Sequence, residues 1–377
     1  MKEVLARINE VLEKLDLSPT MHQDATEKYK NVCSYFENQG IEADFYPQGS
    51  FSFGTVVRPF SEGKNKKYDL DVICQVNIPK ENIDPDELKN NIGDTLKNSE
   101  VYRQRLDIEG SKSWTINYSG IGEFEFDLDV VPSVKDEKGI VRLLLSGVKN
   151  EIAQTSISIT DKLKDSQYQW VSSNPSGLTK WFVEINQPFF NFVASDQKAK
   201  IFSTTKMYNT IEDVPDYVVK TSLQRAIQFL KRHRDIYFWR VDKETKKPTS
   251  IVILVLICEF AKSIHPATEI LDLISMFVQS TLNNCPISKT TPYLANPAEP
   301  NDNLVDSWDQ EMIDLFYTWL KSLNVDLIEL KSDGVIAIKS ADNILYAESL
   351  GLIDKEISIQ SKPISIQTKP WLKIKNI

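Results

Sequence analysis

The first 40 residues of the chain show the hydrophobic spacing of two amphipathic helices. Apolar side chains recur every three or four positions in residues 3–16, and the same spacing returns in residues 21–37. Such spacing places the apolar side chains on one face of a helix. Pro19 and Thr20 suit the start of the second helix, and Gly40 suits its end. We therefore predict two N-terminal helices, each with one buried face.

Short segments with the character of β-strands follow these helices. Turn signals and one helical pattern, at about residues 85–99, separate the segments from one another. The predicted strands cover residues 41–46, 68–76, 113–116 and 124–131. Helices beside a small mixed sheet predict an α+β, or two-lobed α/β, fold for this part of the chain.

Helical patterns dominate the second half of the chain. They cover residues 216–234, 250–264, 269–281 and 309–323. Residues 335–345 are interpreted as a short hairpin, and the tail from residue 357 is polar and weakly patterned. We predict a first domain at residues 1–165, with the sheet and the N-terminal helices, and a helical domain at residues 166–377.

Composition places the chain among soluble globular proteins. Of its 377 residues, 41% are hydrophobic and 26% are charged, which is ordinary for a globular protein. The most apolar run, residues 251–261, is too short to span a bilayer and contains Glu259. The N-terminus has acidic residues and lacks the pattern of a signal peptide. We expect a cytoplasmic protein that does not enter a membrane.

The net charge argues against a protein that coats nucleic acid. The scattered cysteines and histidines argue against a zinc site. The net charge is −9, whereas neutralising nucleic-acid phosphates requires a basic surface. A zinc site needs clustered ligands, and scattered cysteines in a reducing cytoplasm are expected to be free thiols. The cysteines and histidines are Cys33, Cys74, Cys258, Cys285, His22, His233 and His265.

The strand "YDLDVICQV" carries two aspartates at alternate positions. Because side chains alternate between the faces of a strand, Asp69 and Asp71 share one face. Two carboxylates on one face repel each other unless a cation lies between them. Mg²⁺ prefers carboxylates together with substrate phosphates, so the pair predicts a magnesium site. The alternative is an edge strand with an exposed polar face.

A second strand, "FEFDLDVVP", makes the metal site the stronger interpretation. Its acidic face carries Glu125, Asp127 and Asp129. A second acidic strand beside the first would gather three carboxylates, which can hold two metal ions about 4 Å apart for phosphoryl transfer. The third carboxylate could also accept the proton of an attacking hydroxyl. Spacing alone does not choose between Asp127 and Asp129.

The turn "GSFSFG" precedes the first of these strands and supplies hydrogen-bond donors. Gly49 permits a close approach of the backbone, and successive N–H groups in such a turn can bind phosphate oxygens. The hydroxyl of Ser50 adds another donor. The turn lacks the lysine of a Walker A loop. On its own it would be interpreted as a tight bend, but two acidic strands follow it.

Together, "QGSFSFGTVVRP", "YDLDV" and "FDLDVVPS" resemble the motifs of bacterial cyclic-oligonucleotide synthases (CD-NTases). These are relatives of cyclic GMP-AMP synthase and 2′-5′-oligoadenylate synthase in the polymerase-beta-like nucleotidyltransferase superfamily. The resemblance implies a nucleotidyltransferase core with a small mixed sheet, followed by a helical domain that completes the nucleotide pocket. In that family the third carboxylate precedes two apolar residues and a proline, which selects Asp129. Asp69, Asp71 and Asp129 are then the implied ligands of two Mg²⁺ ions, with Mn²⁺ as an alternative.

The resemblance also assigns residues that bind the donor triphosphate. Gln48, Gly49 and Ser50 lie in the matching glycine motif. A lysine on a helix of the oligoadenylate synthases matches Lys231 in "LQRAIQFLKRHRD", although Arg232 and His233 depart from the pattern around it. A solvated basic helix face is the alternative. A serine at a later helix start matches Ser250, which could equally serve as a plain helix cap.

The expected function is Mg²⁺-dependent joining of nucleoside triphosphates, ATP or GTP, into a cyclic di- or trinucleotide. Such products are second messengers in anti-phage (CBASS-type) signalling, where effector or regulatory proteins of the same system are expected partners. The zinc-binding insertion of animal cyclic GMP-AMP synthase is missing, so a nucleic-acid activator is not expected. The alternatives are transfer of nucleotides to an RNA end or a protein side chain, and a binding protein on a degenerate fold.

Two segments of the predicted helical domain resemble segments that recur in these synthases, and neither has an assigned chemistry. They are "WVSSNPSGLTKWF", residues 170–182, and "NPAEPNDNLVDSW", residues 296–308. We interpret both as structural turns between helices. A supporting role at the acceptor pocket is the alternative for each.

Overall fold

A computed structural model describes residues 1–118, 125–204, 220–284, 286–332 and 334–352. The helices are α1 Lys2–Leu15, α2 Pro19–Asn38, α3 Gly49–Ser52, α4 Pro85–Asn98, α5 Glu100–Arg103, α6 Glu137–Leu145, α7 Asn150–Ala153, α8 Pro175–Thr204, α9 Ser222–Arg240, α10 Ser250–Ala261, α11 Ile270–Asn283, α12 Gln310–Leu330 and α13 Val335–Leu345. The strands are β1 Ala43–Pro47, β2 Phe60–Ser61, β3 Lys64–Asn65, β4 Tyr68–Val76, β5 Trp114–Tyr118, β6 Phe126–Lys135, β7 Ile157–Lys162, β8 Tyr168–Ser173, β9 Ala295–Asn296 and β10 Glu299–Asn303.

Six of the strands form one mixed sheet. The order is β1-β4-β6-β7-β8, and β5 pairs with the first half of β6 while β7 pairs with its end. β4 and β6 are parallel, and the other neighbours in this sheet are antiparallel. This sheet with its surrounding helices confirms the predicted fold class.

The faces of the two central strands bury different sets of side chains. Alternate residues of β4, from Leu70 to Cys74, pack with the apolar faces of α2 and α4 in one core. On the opposite face Ile73 and Val131 pack with apolar residues of β7 in a smaller cluster. Towards the start of each strand this opposite face carries the acidic side chains. The first core therefore fixes which face of the sheet presents them.

A second core holds the helices of the later part of the chain. Buried residues of α9, α10, α11, α12 and α13 form one cluster, and the apolar face of α1 belongs to it as well. Helix α1 packs mainly against α13 and α9. The division at residues 165 and 166 stays a prediction; the last strand of the large sheet, β8, lies just beyond it, at residues 168–173.

Most predicted elements of the first half lie within two residues of their observed bounds, and the β4 prediction matches both ends. The predicted strand at 124–131 runs on to Lys135, and residue 124 lies outside the described residues. The helix predicted at 216–234 covers Ser222–Arg240 in the structure, with residues 216–219 outside the described part. Cys285 and the tail from residue 357 are outside it too, whereas Cys33, Cys74 and Cys258 are free thiols.

The hairpin predicted at residues 335–345 is wrong, because this segment is helix α13. Its β-branched residues suggested strands, but the exposed Val335 and Ile336 lie only at its first turn. Ala337, Ala341 and Ile344 recur at helical spacing and are buried against the second core. Packing of this face outweighs the weak helix propensity of valine and isoleucine.

The two segments interpreted as turns between helices also form regular structure. Residues 170–182 comprise the end of β8 and the start of α8, and residues 296–308 include the hairpin of β9 and β10. Asn174 lies between β8 and α8, where its side-chain amide donates to the backbone oxygens of Ile152 and Ala298, each at 3.0 Å. The first bond ties the chain at the start of α8 to α7, and the second ties it to the hairpin.

The contact between α4 and β5 predicts a stability effect at Gly93. A Cβ atom at this position would lie 2.2 Å from the Trp114 ring, and the Trp114 indole N–H donates to the Lys89 backbone oxygen at 2.9 Å. Because the ring is fixed, we expect Gly93→Ala to lower the free energy of unfolding by about 2 kcal/mol, although alanine favours a helix.

Urea unfolding of the purified variant measures this effect. Asn90→Ala, on the exposed side of the same helix, is the matched control and should change the free energy of unfolding by less than about 0.5 kcal/mol. Equal stability of Gly93→Ala and the wild type would contradict the close packing described here.

Candidate active site

Three aspartates lie together on the open face of the large sheet. The parallel register pairs Asp69 with Asp127 and Asp71 with Asp129. Each of Asp69, Asp71 and Asp129 offers one carboxylate oxygen, and these three oxygens lie within 4.8 Å of one another. The structure therefore groups Asp129, and not Asp127, with the two aspartates of β4. Asp127 instead lies 3.5 Å from the Lys67 ammonium.

Burial and nearby negative charge make the carboxyl groups of Asp69 and Asp71 hard to ionise. Burial, and then the charges of Asp129 and Asp127, raise the pKa of Asp69 to about 6. Burial, and then Asp69 and Asp129, raise the pKa of Asp71 to about 7. Such shifts indicate a site where a cation is needed to balance the charge. Three carboxylate oxygens at this separation fit a hard divalent ion such as Mg²⁺.

Strand β5 holds the third carboxylate from the other side. Thr115 is paired with Asp129 across the antiparallel register, and its hydroxyl donates to the Asp129 Oδ1 atom. This hydrogen bond fixes the orientation of the Asp129 side chain, and no described residue donates to its other oxygen. Thr115 was not predicted from the sequence, since its pairing depends on how β5 aligns with β6.

The glycine motif lies directly against the aspartates. It forms the short helix α3 where a turn was expected, and the backbone N–H of Gln48 donates to the Asp71 backbone oxygen at 3.0 Å. Gly49 has φ +63°, and a Cβ atom there would lie 3.1 Å from the Asp71 Oδ2 atom. A side chain at Gly49 would thus both strain the backbone and crowd the carboxylate.

A cavity of about 480 Å³ opens in front of this site. Two of the three aspartates, Asp69 and Asp71, line it. The cavity walls also contain every residue predicted to bind the donor triphosphate: Gln48, Gly49, Ser50, Lys231 and Ser250. Residues from the sheet and from the helical core therefore meet around one space.

Lys231 faces this cavity from α9. Its side chain is buried, and its ammonium donates to the Thr55 backbone oxygen at 2.8 Å. Burial, and then the nearby Arg234 charge, lower the pKa of Lys231 to about 7. An anion bound in the cavity would raise this pKa again. The alternative of a solvated basic face is wrong for Lys231, because the side chain is buried.

Arg232 and His233, which depart from the expected pattern, face away from the cavity. The Arg232 guanidinium lies over the Phe60 ring and donates to the Leu345 backbone oxygen at 2.9 Å. His233 accepts a hydrogen bond from the Trp319 indole and lies 3.0 Å from the Asp326 carboxylate. These residues anchor α9 to the surrounding helices.

Ser250 is the first residue of α10, and Thr249 holds the N-cap position without a side-chain capping bond. The Ser250 Oγ atom accepts a hydrogen bond from the Arg234 guanidinium at 3.2 Å. Ser250 is therefore not the capping residue of α10 in the structure.

Sequence reasoning missed several polar residues of the cavity wall: Arg234, Asp235, Lys247, Asn174, Asn296 and Asp302. Arg234 could have been found, because it follows Lys231 by three positions on one helix and shares its face. Lys247 and the hairpin residues had no comparable signal. Their positions depend on the path of loops across the helical core.

Comparison with known proteins gives two sequence relatives. A c-di-GMP synthase of Roseivirga ehrenbergii is 28% identical over 342 residues, which cover 88% of this chain and 80% of the relative. The cyclic dinucleotide synthase CdnG of Bradyrhizobium diazoefficiens is 21% identical over 332 residues, covering 82% and 71%. No family model matches the chain.

Solved structures share the fold. CdnG of Bradyrhizobium diazoefficiens, determined with GTP, covers 92% of this chain and 99% of its own, with a TM-score of 0.64 and 19% identity. The Vibrio cholerae cyclic AMP-GMP synthase DncV covers 94% and 82%, with a TM-score of 0.53 and 16% identity. The two sequence relatives confirm the resemblance to bacterial cyclic-oligonucleotide synthases and the enzyme class that it implies, a nucleotidyltransferase, and the solved structures confirm the fold. No helix in the described ranges has the length and apolar character needed to span a membrane.

The raised carboxylate pKa values predict a pH-dependent stability in metal-free protein. In the unfolded chain Asp71 loses its proton near its ordinary pKa of 3.8, whereas in the folded chain it keeps the proton to about pH 7. Stability should therefore fall as pH rises between these values. Because Asn carries no charge, Asp71→Asn should be more stable than the wild type at pH 8, by about 1–2 kcal/mol after solvent screening, and equal to it near pH 4.

Urea unfolding in a chelator at several pH values measures this difference. Adding Mg²⁺ or Mn²⁺ at pH 8 should then stabilise the wild type more than Asp71→Asn. Asp127→Asn, on the paired strand, is the control and should retain the metal-dependent gain. A wild type whose stability relative to Asp71→Asn does not change with pH would contradict the electrostatics of this site.

Proposed function

We propose that this chain joins nucleoside triphosphates into a cyclic dinucleotide and releases pyrophosphate. The observation that carries the proposal is one cavity lined both by carboxylates of the sheet and by basic side chains of the helical core. Asp69 and Asp71 are the carboxylates, and Lys231 is one of the basic residues. A divalent metal with a triphosphate between them would balance both sets of charges.

GTP is the substrate that we propose first. The relative that is 28% identical to this chain over 342 residues carries the name c-di-GMP synthase, and the CdnG structure was determined with GTP. The proposed product is therefore cyclic di-GMP. Use of ATP, or a trinucleotide ring, would change the base contacts of the cavity and leave the phosphate chemistry the same.

Each joining step would form one bond and break one. A ribose hydroxyl of the acceptor attacks the α-phosphorus of the donor, the bond from that phosphorus to the β-phosphate oxygen breaks, and pyrophosphate leaves. A second step of the same kind between the ends of the linear intermediate closes the ring. Bound Mg²⁺ would neutralise the phosphate oxygens and lower the pKa of the attacking hydroxyl.

The residues of this chain position the reactants for that step. Asp69, Asp71 and Asp129 would hold Mg²⁺, and the free oxygen of Asp129 could accept the proton of the attacking hydroxyl. The backbone at Gly49, the hydroxyls of Ser50 and Ser250 and the Lys231 ammonium would bind the donor triphosphate, with Gln48 beside them. Charge-assisted hydrogen bonds of this kind are the strong ones in phosphate binding.

The proposed cellular role is the synthesis of a second messenger in the cytoplasm during anti-phage (CBASS-type) defence. The support for this role is the resemblance of the motifs to the CD-NTases. An effector protein that binds the cyclic product would be the partner. Nucleotide transfer to an RNA end or a protein side chain is the alternative, since it needs the same donor site and differs only in the acceptor.

Incubation of the purified protein with GTP, ATP or both in Mg²⁺, followed by mass spectrometry, tests the proposal. We expect cyclic di-GMP from GTP alone. Asp69→Asn, Asp71→Asn and Asp129→Asn should each lower the rate roughly a thousandfold, because several kcal/mol of charge stabilisation are lost. Asp127→Asn, outside the group of three, should retain most of the activity.

The products separate the alternatives. Cyclic products from free nucleotides would exclude a need for an RNA or protein acceptor. Pyrophosphate release that appears only after RNA or protein is added would support the alternative acceptor. If all NTP combinations give no phosphodiester, the proposed function is wrong.

A further inference from the structure

The part of the cavity wall that α9 forms contains a buried carboxylate that the proposed chemistry does not use. Asp235 on α9 is 3% exposed. Its Oδ1 atom accepts hydrogen bonds from the Arg234 Nε and Nη2 atoms at 3.0 and 2.8 Å, and from the Lys247 ammonium at 2.8 Å. Its Oδ2 atom lies 3.4 Å from the backbone nitrogen of Phe60. A buried carboxylate with so many donors is held in one position.

We propose that Lys247 is a further phosphate-binding residue and that Asp235 is the positioning residue that directs Lys247 at the donor triphosphate and holds Arg234 against Ser250. This inference rests on the proposed function, because it assigns the part of a nucleoside triphosphate that this wall binds. It adds Lys247, Arg234 and Asp235 to the residues that the sequence motifs select.

Lys247 has unused hydrogen-bond donors at the cavity. Its ammonium carries three N–H donors, and within the described part of the chain only Asp235 accepts one of them. Its side chain is 28% exposed, and the residue lines the cavity. The two remaining donors can therefore reach an anion bound there. The adjacent Lys246 pairs with Asp309 and does not line the cavity.

Arg234 acts through Ser250. Its Nη1 atom donates to the Pro248 backbone oxygen at 3.0 Å and to the Ser250 Oγ atom at 3.2 Å. Because Ser250 accepts this bond, its own hydroxyl proton must be donated elsewhere. Among the described residues no acceptor lies within hydrogen-bonding distance of that hydroxyl, which borders the cavity. Arg234 thus prepares Ser250 to donate to a phosphate oxygen.

The charges on this wall support the same conclusion. Arg234 and Lys247 are two cations of this wall, and Asp235 is the one anion that pairs with them in the described structure. Arg234 and Lys247 keep the pKa of Asp235 below its ordinary value, although burial opposes this. The wall therefore retains an excess of positive charge when the cavity holds no anion. A triphosphate would supply the missing negative charge.

A purely structural role for Asp235 would affect nucleotide binding differently from a positioning role. Asp235 joins α9 to the loop before α10 and to the backbone at Phe60, so its loss could simply weaken the fold. Such a loss would reduce affinity for every nucleotide alike. If Asp235 instead directs hydrogen-bond donors at the phosphates, its loss would reduce affinity for a triphosphate and leave affinity for the monophosphate unchanged.

Isothermal titration of the full-length chain with GMP and with the α,β-methylene analogue of GTP tests the proposal. The methylene group prevents cleavage of the bond that the reaction breaks. We expect Lys247→Met to weaken binding of the analogue about tenfold, the contribution of one charge-assisted hydrogen bond, and to leave GMP affinity unchanged. Lys247→Arg should restore most of the affinity.

Lys246→Met is the matched control and should bind both ligands as the wild type does. Asp235→Asn should weaken analogue binding at least as much as Lys247→Met. The double variant Asp235→Asn, Lys247→Met should lose less binding free energy for the analogue than the two single variants lose together, because the two residues act through one contact. Thermal unfolding of each variant identifies any loss of folded protein.

The outcomes separate this inference from the proposed function. The role of Lys247 is wrong if Lys247→Met binds the analogue as tightly as the wild type does. The proposed function stays intact in that case, provided that the wild type binds the analogue and makes product. Equal weakening of GMP and analogue in Asp235→Asn would overturn the positioning role. A wild type that binds no analogue in Mg²⁺ and forms no product would overturn both.

Discussion

The parallel pairing of β4 with β6 holds three carboxylates on one face of the sheet against their mutual repulsion. The register that pairs Asp71 with Asp129 brings their oxygens and that of Asp69 within 4.8 Å of one another. The opposite faces of both strands are buried in a core with α2 and α4. That burial fixes the register, since a shift by one residue would move the aspartates into the core. The raised pKa values of Asp69 and Asp71 show the electrostatic cost of this arrangement.

Helix α9 completes the cavity because one of its sides packs against other helices and its other side lines the cavity. Arg232 and His233 are bonded to the C-terminal helices and the chain that follows them, whereas Lys231 and Arg234 face the cavity. The contacts of Arg232 and His233 therefore hold α9 in the orientation that places Lys231 and Arg234 at the cavity. The glycine at position 49 lets the backbone between β1 and β4 approach Asp71 closely enough to close the remaining side.

The amino-acid sequence predicts the parts of the site that depend on local geometry. Alternation within one strand placed Asp69 and Asp71 on one face, and helical spacing placed Lys231 beside a buried face. The choice of Asp129 over Asp127 needed the motif resemblance, because it depends on the register between two strands. Lys247 lies in a loop and Asp302 in the hairpin of β9 and β10. Neither could be found, since no local pattern predicts how these segments reach the cavity. Helix α13 was misinterpreted because burial against the helical core outweighs its local β-propensity.

We propose that the three aspartates form a binding site for divalent metal next to a triphosphate pocket. Crystals of the protein grown with Mn²⁺ and the α,β-methylene analogue of GTP would test this by anomalous scattering. We expect anomalous peaks between Asp69, Asp71 and Asp129, with the analogue's phosphates reaching towards Lys231. Analogue bound in the cavity without manganese at these three carboxylates, or manganese at Asp127 instead, would contradict it.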